Sequence, residues 1–147
     1  MSPSELKKAL ESAILAAQAA GRLMALHRHR VKRVNDATQH DIKLELDVRC
    51  QRVITRVLAA AHPEIPVLGE EASHEEATRA PGRWVVDPID GTVNFAHGIP
   101  HAAVSIALQV RETPRTAGYA DGYATVAGVI LDPFCDELFT AERGGPA

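Results

Sequence analysis

Residues 84–92 read Trp84-Val85-Val86-Asp87-Pro88-Ile89-Asp90-Gly91-Thr92, a short apolar strand that runs into an acidic turn. Proline biases the preceding residue toward an extended backbone and fixes its own φ, so we expect a sharp turn at Pro88. Such a turn would aim the carboxylates of Asp87 and Asp90, and the carbonyl of Ile89, at one point. Several oxygen donors around one point suit a hard cation, Mg²⁺ before Ca²⁺ or Mn²⁺. Zinc is disfavoured, because the cluster holds no His or Cys.

Two neighbouring groups extend this candidate site. Glu70 and Glu71 follow a second predicted strand at 66–69, so their carboxylates would also lie at the rim of a sheet. Gly91 and Thr92 offer backbone N–H groups at the start of a predicted helical turn, where phosphate oxygens bind. Two plainer interpretations remain open: Asp-Pro-x-Asp-Gly is common turn chemistry, and a pair of glutamates is often a solvated surface pair.

The order of the predicted elements indicates an α+β fold, with an antiparallel sheet and two helices packed on it. A capping box of Ser2 and Glu5 with Pro3 between them begins the first helix, which fades near 27–30. An extended piece is predicted at 40–46, and Asp47 then stands as the N-cap of a second helix that Pro63 ends. Strands are predicted at 66–69, 84–86, 102–110, 126–131 and 137–141, a loop at 72–82 and a long connection at 111–125. The alanine-rich first helix predicts close packing on another helix, within the chain or in a dimer.

Composition excludes several classes of protein. Sixteen Lys and Arg against nineteen Asp and Glu give a net charge of −3, which disfavours nucleic-acid binding as the main role. Neither a membrane-spanning run nor a signal peptide is recognisable. Cys50 and Cys135 stand among apolar residues and are predicted to be reduced core residues of a cytoplasmic protein.

The two acidic groups together resemble a known family. Gly69-Glu70-Glu71, followed by residues 84–95 with their Asp-Pro-Ile-Asp-Gly-Thr core, is similar to the signature of the inositol monophosphatase family. Supporting similarity lies at 43–47, 103–107 and 137–141, and the likeness spans about residues 5–145. The resemblance implies the first α/β half of a layered αβαβα sandwich.

The resemblance also implies roles for individual residues. Glu70, Asp87 and the Ile89 carbonyl would hold one Mg²⁺, and Asp87 would bridge to a second Mg²⁺ that Asp90 also holds. The backbone of Gly91 and Thr92 would bind the substrate phosphate. Asp47 would orient the attacking water together with Thr92, and Glu71 would hydrogen-bond to water on the metal. A plain N-cap role for Asp47 stays open beside this one.

One departure from the family pattern bears on activity. Family members are about twice as long, and their second half supplies a Trp-Asp motif that completes the second metal site; this sequence has no such pair. The chain is therefore expected to be a single domain, residues 1–147, that resembles the N-terminal half and lacks the third aspartate of the second site.

Two functions follow as expectations from the resemblance. The first is a magnesium-dependent phosphomonoesterase that hydrolyses inositol monophosphate, or a related small phosphate ester, with metal-activated water. The alternative is an inactive truncated or split module that binds metal or a partner chain. A homodimer is expected and a membrane is not, while a contact with nucleic acid or the transcription machinery stays open.

Overall fold

The computed structural model describes residues 1–28, 36–69, 74–113 and 118–145, without the side chains of 36–44 and 74–76. Its elements are α1 (Pro3–His27), α2 (Asp36–Ala61), β1 (Val67–Leu68), α3 (His74–Arg79), β2 (Gly82–Asp90), α4 (Thr92–Ala96), β3 (Ala103–Arg111), β4 (Tyr123–Asp132) and β5 (Glu137–Glu142). The α+β class is confirmed.

The first helix begins as the sequence predicts. The Ser2 hydroxyl accepts from the Glu5 N–H, and the Glu5 carboxylate accepts from the Ser2 N–H, which is a complete capping box. The small residues form one buried stripe: Ala9, Ala13, Ala16, Ala17, Ala20 and Gly21. This stripe packs within the chain, because α1 contacts α2, β3 and β4. No helix of the described residues is long and apolar enough to cross a membrane.

The start of the second helix differs from the prediction. The extended piece at 40–46 and the N-cap at Asp47 are both wrong, because one helix runs from Asp36 to Ala61. Strong helix formers fill 43–46, and a short apolar–polar alternation does not separate a strand from a helix. Leu46 is the first of a buried stripe at four-residue spacing that continues through Cys50, Ile54 and Leu58. Asp47 therefore lies inside the helix, where it is 8% exposed.

The five strands form one sheet in the order β1-β2-β3-β4-β5. β2 to β5 pair antiparallel, as predicted, whereas β1 pairs parallel with β2, so the sheet is mixed. The crossover between β1 and β2 contains α3, a helix within the loop predicted at 72–82. Two parallel strands need a crossover connection, usually a helix. The helix in this crossover has only six residues, which is too short to give a clear helical pattern in the sequence.

One face of the sheet carries the core. Trp84, Val86, Val104, Ile106 and Leu108 are at most 4% exposed on the face that α1 and α2 cover. The opposite face is left open by the described residues. It carries small residues at its centre and exposed apolar ones toward β5, where Ile130 is 49% and Phe139 is 58% exposed.

The two cysteines are both free thiols but differ in burial. Cys50 is buried as predicted, and burial, reinforced by the nearby Asp47 charge, raises the pKa of its thiol to about 12. The core position predicted for Cys135 is wrong, because Cys135 is exposed in the β4–β5 turn and its N–H donates to the Asp132 carboxylate.

Close packing of the alanine stripe gives a first prediction. Ala17 lies in α1 and is fully buried against the neighbouring elements. Ala17→Leu should therefore destabilise the chain by about 1–3 kcal/mol through overpacking. The measurement is the free energy of unfolding in urea. Ala59→Leu adds the same atoms at an exposed position of α2 and should change stability by less than about 0.5 kcal/mol. Equal effects of the two substitutions would contradict the packing described for α1.

Candidate active site

The two aspartates of the signature share one face of the sheet because of a β-bulge. The register pairs Asp87 with Ser105 and Asp90 with Ala103, so three steps along β2 match two steps along β3. Residues opposite each other in a sheet point to the same side, and Ser105 and Ala103 are two apart on one strand. In a regular strand, Asp87 and Asp90 would face opposite sides. The extra residue brings their carboxylates to the same side.

The sharp turn predicted at Pro88 is wrong. The strand continues to Asp90, and the bulge, rather than a turn, aims the carboxylates. Proline has no N–H for the ladder, and a bulge is a place where a sheet tolerates it. The Ile89 N–H donates to the Asp87 carboxylate at 3.1 Å, and the Ile89 side chain is buried. Asp87 is half-buried and Asp90 is exposed, so ligands can reach both.

The turn after the bulge depends on a glycine. Gly91 has a φ of +84°, in the left-handed region, and precedes α4. A Cβ on Gly91 would lie 2.8 Å from the carbonyl oxygen of His101. The Asn94 side-chain amide donates to that same carbonyl at 3.0 Å. Thr92 begins a helical turn as predicted, and the buried Phe95 anchors that turn in the core.

A small hollow opens beside these residues. It has a volume of about 240 Å³, and Asp90, Gly91, His101 and Asp132 contribute to its walls. Partial burial acts to raise the pKa of Asp132, but N–H groups of Phe134 and Cys135 donate to its carboxylate and the net shift is downward. Asp132 therefore stays ionised, and the hollow carries negative charge from two elements.

The second helix approaches the same region. α2 packs against β2 and α4, which places the helix of Asp47 next to the helix that Thr92 begins. One turn after Asp47, Gln51 is 7% exposed, and its Oε1 has no hydrogen-bond partner among the described residues. A Cβ on Gly69 would lie 2.3–2.5 Å from the Gln51 amide, so Gly69 packs directly against α2.

The remaining predicted ligands, Glu70 and Glu71, lie outside the described residues. Within the described part of the chain, no three His, Cys, Asp or Glu side chains group together as a metal site. The donors that are described fit a hard cation by their chemistry, because the bulge offers two carboxylates and a carbonyl, all oxygen. Glu70 follows Gly69 directly and would add a further oxygen donor.

Comparison with known proteins identifies the family. Residues 5–147 match the inositol monophosphatase family. The chain belongs to this family. It is 41% identical over 107 residues to the inositol-1-monophosphatase of Rhizobium meliloti (strain 1021), a match that covers 73% of this chain and 36% of that protein. It is 37% identical over 139 residues to the Nus factor SuhB of Pseudomonas aeruginosa, covering 92% of this chain and 47% of that protein.

A solved structure has the same fold over most of this chain. The extragenic suppressor protein suhB from Bartonella henselae aligns with a TM-score of 0.68 and 36% identity, over 91% of this chain and 48% of that one. The chain spans about half the length of this structure and of the Pseudomonas relative, and a smaller share of the Rhizobium one.

Sequence reasoning did not single out two polar residues at the site. Gln51 is four residues after Asp47, and this helical spacing could have drawn attention to it had the helix been predicted to begin earlier. Asp132 ends β4, and no sequence motif marks it as a site residue. It shares a hollow with Asp90 because of the β2–β3 and β3–β4 registers, which no local pattern reveals.

The conformation of Gly91 gives a second prediction. Gly91→Ala should destabilise the chain by about 1–3 kcal/mol, because it forces alanine into the left-handed region and against the His101 carbonyl. Urea unfolding measures the loss.

Gly128→Ala is the matched control. Gly128 lies in β4, and a Cβ there would meet nothing within 4 Å. This substitution should leave stability within about 0.5 kcal/mol of the original chain. A Gly91→Ala variant as stable as the Gly128→Ala variant would contradict the tight turn after the bulge.

Proposed function

We propose that the chain carries the metal- and phosphate-binding residues of a magnesium-dependent phosphomonoesterase that hydrolyses inositol monophosphate or a related small phosphate ester. The observation that carries the proposal is the bulge that sets Asp87 and Asp90 on one face, directly before the glycine turn of Gly91 and Thr92. Membership of the inositol monophosphatase family supports the same reaction.

The metal ligands in this proposal are Glu70, Asp87, the Ile89 carbonyl and Asp90. Asp87 and Asp90 would also hold a second ion. When bound, magnesium would lower the pKa of a coordinated water and offset negative charge on the phosphate. The chain's own contribution is to hold these oxygens rigidly, which the buried Ile89 side chain and the Ile89 N–H bond to Asp87 both favour.

Other residues act on the substrate and on water. The N–H groups of Gly91 and Thr92 donate to phosphate oxygens. Asp47 accepts from the Thr92 hydroxyl, which in turn orients the attacking water, and the packing of α2 against α4 supports this pairing. Glu71, which lies outside the described residues, would hydrogen-bond to water on the metal. Asp47 is 8% exposed, so its carboxylate is largely shielded from bulk solvent.

Electrostatics make the cation a requirement for binding. The chain has a net charge of −3, and the hollow beside the bulge is lined by Asp90 and an ionised Asp132. A phosphate ester is an anion, so without a bound cation it would be repelled from this surface.

Replacement of Asp87 tests the proposal. Asp87→Asn keeps the side-chain shape but removes the bridging charge, so release of phosphate from inositol 1-phosphate should fall by about a hundredfold or more. The measurement is inorganic phosphate release with and without Mg²⁺.

Asp136→Asn is the matched control for this experiment. Asp136 is exposed in the β4–β5 turn at a φ of +57°, which asparagine tolerates, so its rate should equal that of the original chain. Full activity of Asp87→Asn would show that the metal assignment is wrong. No turnover by a folded original chain would exclude the hydrolase function for this chain.

One observation favours a second candidate function, a module that binds a partner chain. The register places Asp87, Ser105, Ile130 and Phe139 opposite one another across four strands, so the acidic site continues into the uncovered apolar face. A second copy of the chain, seated on this face, would cover Ile130 and Phe139. The Pseudomonas relative is named Nus factor SuhB, a name that does not refer to phosphate hydrolysis.

Light scattering during size-exclusion chromatography tests this candidate. A dimer is expected for the original chain, and Phe139→Lys should convert it to a monomer. Tyr119→Lys alters another exposed aromatic side chain, away from the sheet face, and should leave the dimer intact. A monomeric original chain would rule out a homodimer through this face.

A further inference from the structure

The second halves of α1 and α2 carry charge of one sign only. From Ser12 to Arg28 and from Val48 to Ala61, the sequence contains five arginines and no Asp, Glu or Lys. The five are Arg22, Arg28, Arg49, Arg52 and Arg56. None of them forms an ion pair with a carboxylate of the described residues. A chain with a net charge of −3 therefore carries a local group of uncompensated positive charges on its helical layer.

Three of these arginines form a row on α2. Arg49, Arg52 and Arg56 are three and four residues apart, so they lie on one face of the helix, each one turn from the next. All three are exposed, and their face is opposite the buried stripe that runs from Leu46 to Leu58. The helical rise makes this arginine row about 10 Å long.

The first arginine of the row contacts the end of α1. The His27 Nδ1 donates to the Leu23 carbonyl at 2.8 Å, so the His27 Nε2 accepts from the Arg49 guanidinium at 3.3 Å. Arg49 thus donates to an imidazole, although Glu45 lies one turn before it on α2. This contact orients Arg49 without compensating its charge by a carboxylate.

Helix stability does not explain the arginine row. Like charges three or four residues apart repel one another and weaken a helix. A cation stabilises a helix through its dipole only in the last turn, and Arg56 is five residues before the end of α2 at Ala61. A solvated helix face usually carries charges of both signs, in pairs. The row therefore lowers stability unless an anion from outside the chain compensates it.

The composition of α2 indicates which kind of anion fits the row. Interfaces between proteins have an apolar core with aromatic residues, whereas no large apolar side chain is exposed on α2 from 45 to 61. A single-stranded nucleic acid stacks its bases on aromatic side chains, and α2 contains no Phe, Tyr or Trp. A nucleic-acid duplex needs neither feature, because its phosphates repeat regularly and each guanidinium can bind a phosphate through two N–H groups.

We propose that the arginine row is a docking surface for the phosphate backbone of a nucleic-acid duplex, bound without regard to base sequence. Charge complementarity carries the proposal, because three regularly spaced guanidinium groups meet a regularly repeating anion. The row lies on the helical layer, whereas Asp87 and Asp90 lie on the open face of the sheet. The docking surface is therefore independent of the proposed hydrolase function.

Removal of two arginines tests the docking surface. Fluorescence anisotropy would measure the binding of a labelled DNA duplex of about 20 base pairs at about 50 mM NaCl, where phosphate contacts are strong. Arg52→Gln combined with Arg56→Gln should weaken binding about tenfold or more, because two phosphate contacts are lost. The slope of log affinity against log salt concentration should become shallower by about two. Stability to urea should not fall, because glutamine is a good helix former.

Lys7→Gln combined with Lys8→Gln is the matched control. This double variant removes the same amount of charge from exposed positions in the first half of α1, where Glu5 and Glu11 are close in sequence. It should change the affinity for the duplex by less than about twofold, because these lysines lie outside the row.

Three results would overturn the proposal. The docking surface is wrong if the original chain does not bind the duplex, or if the lysine variant weakens binding as much as the arginine variant. The choice of a nucleic acid is wrong if poly-glutamate displaces the labelled duplex as well as unlabelled duplex of the same total charge does, because the row would then accept an acidic protein. If the double arginine variant does not fold, Arg52→Gln alone should make the salt slope shallower by about one, and an unchanged slope would refute the docking surface.

Discussion

The site depends on one extra residue in β2. Without the bulge between Asp87 and Asp90, the alternation of a strand would send one carboxylate into the helical face and the other to the open face. Proline is tolerated here because β1 pairs only with Trp84 and Val85, and the bulge interrupts the ladder with β3 at Pro88. The core residues Val86 and Ile89 flank the irregularity and are almost fully buried, so packing on both sides holds the bulge.

Three separate parts of the chain converge on this bulge. α2 contributes Asp47 and Gln51 on one buried face, and the small residues of α1 allow α2 to lie close to the sheet. The crossover between β1 and β2 begins at Gly69, which packs against Gln51 of α2. α4 follows the bulge immediately, so the residues proposed for phosphate and for metal are adjacent in the chain. This arrangement concentrates negative charge, so we expect a bound cation to offset it.

Local chemistry predicted much of the fold. The capping box located the start of α1, and short apolar runs bounded by glycine and proline located the strands. The Asp-Pro-Ile-Asp pattern predicted that Asp87 and Asp90 would face the same way, and the strand register places them on one face of the sheet. The sequence misled where a short pattern suited two structures, as at 40–46, where strong helix formers alternate in polarity, and at 74–79, where a helix is only six residues long.

Long-range contacts were beyond prediction from one sequence. The parallel pairing of β1, the place of Asp132 beside Asp90 and the stacking of Arg83 on Tyr123 each join residues that are well separated in the chain. None of these contacts produces a periodic pattern in the sequence. The sequence predicted a turn where the structure has a bulge, because proline between two aspartates is compatible with either structure.

The proposed metal site is tested most directly by a crystal structure of the chain grown with Mn²⁺, with anomalous scattering used to locate the ion. We expect an anomalous peak about 2.1 Å from carboxylate oxygens of Asp87 and Asp90, on the face where the bulge places them. A folded chain with no peak at these residues, or with a peak only elsewhere, would show that the bulge does not build a metal site.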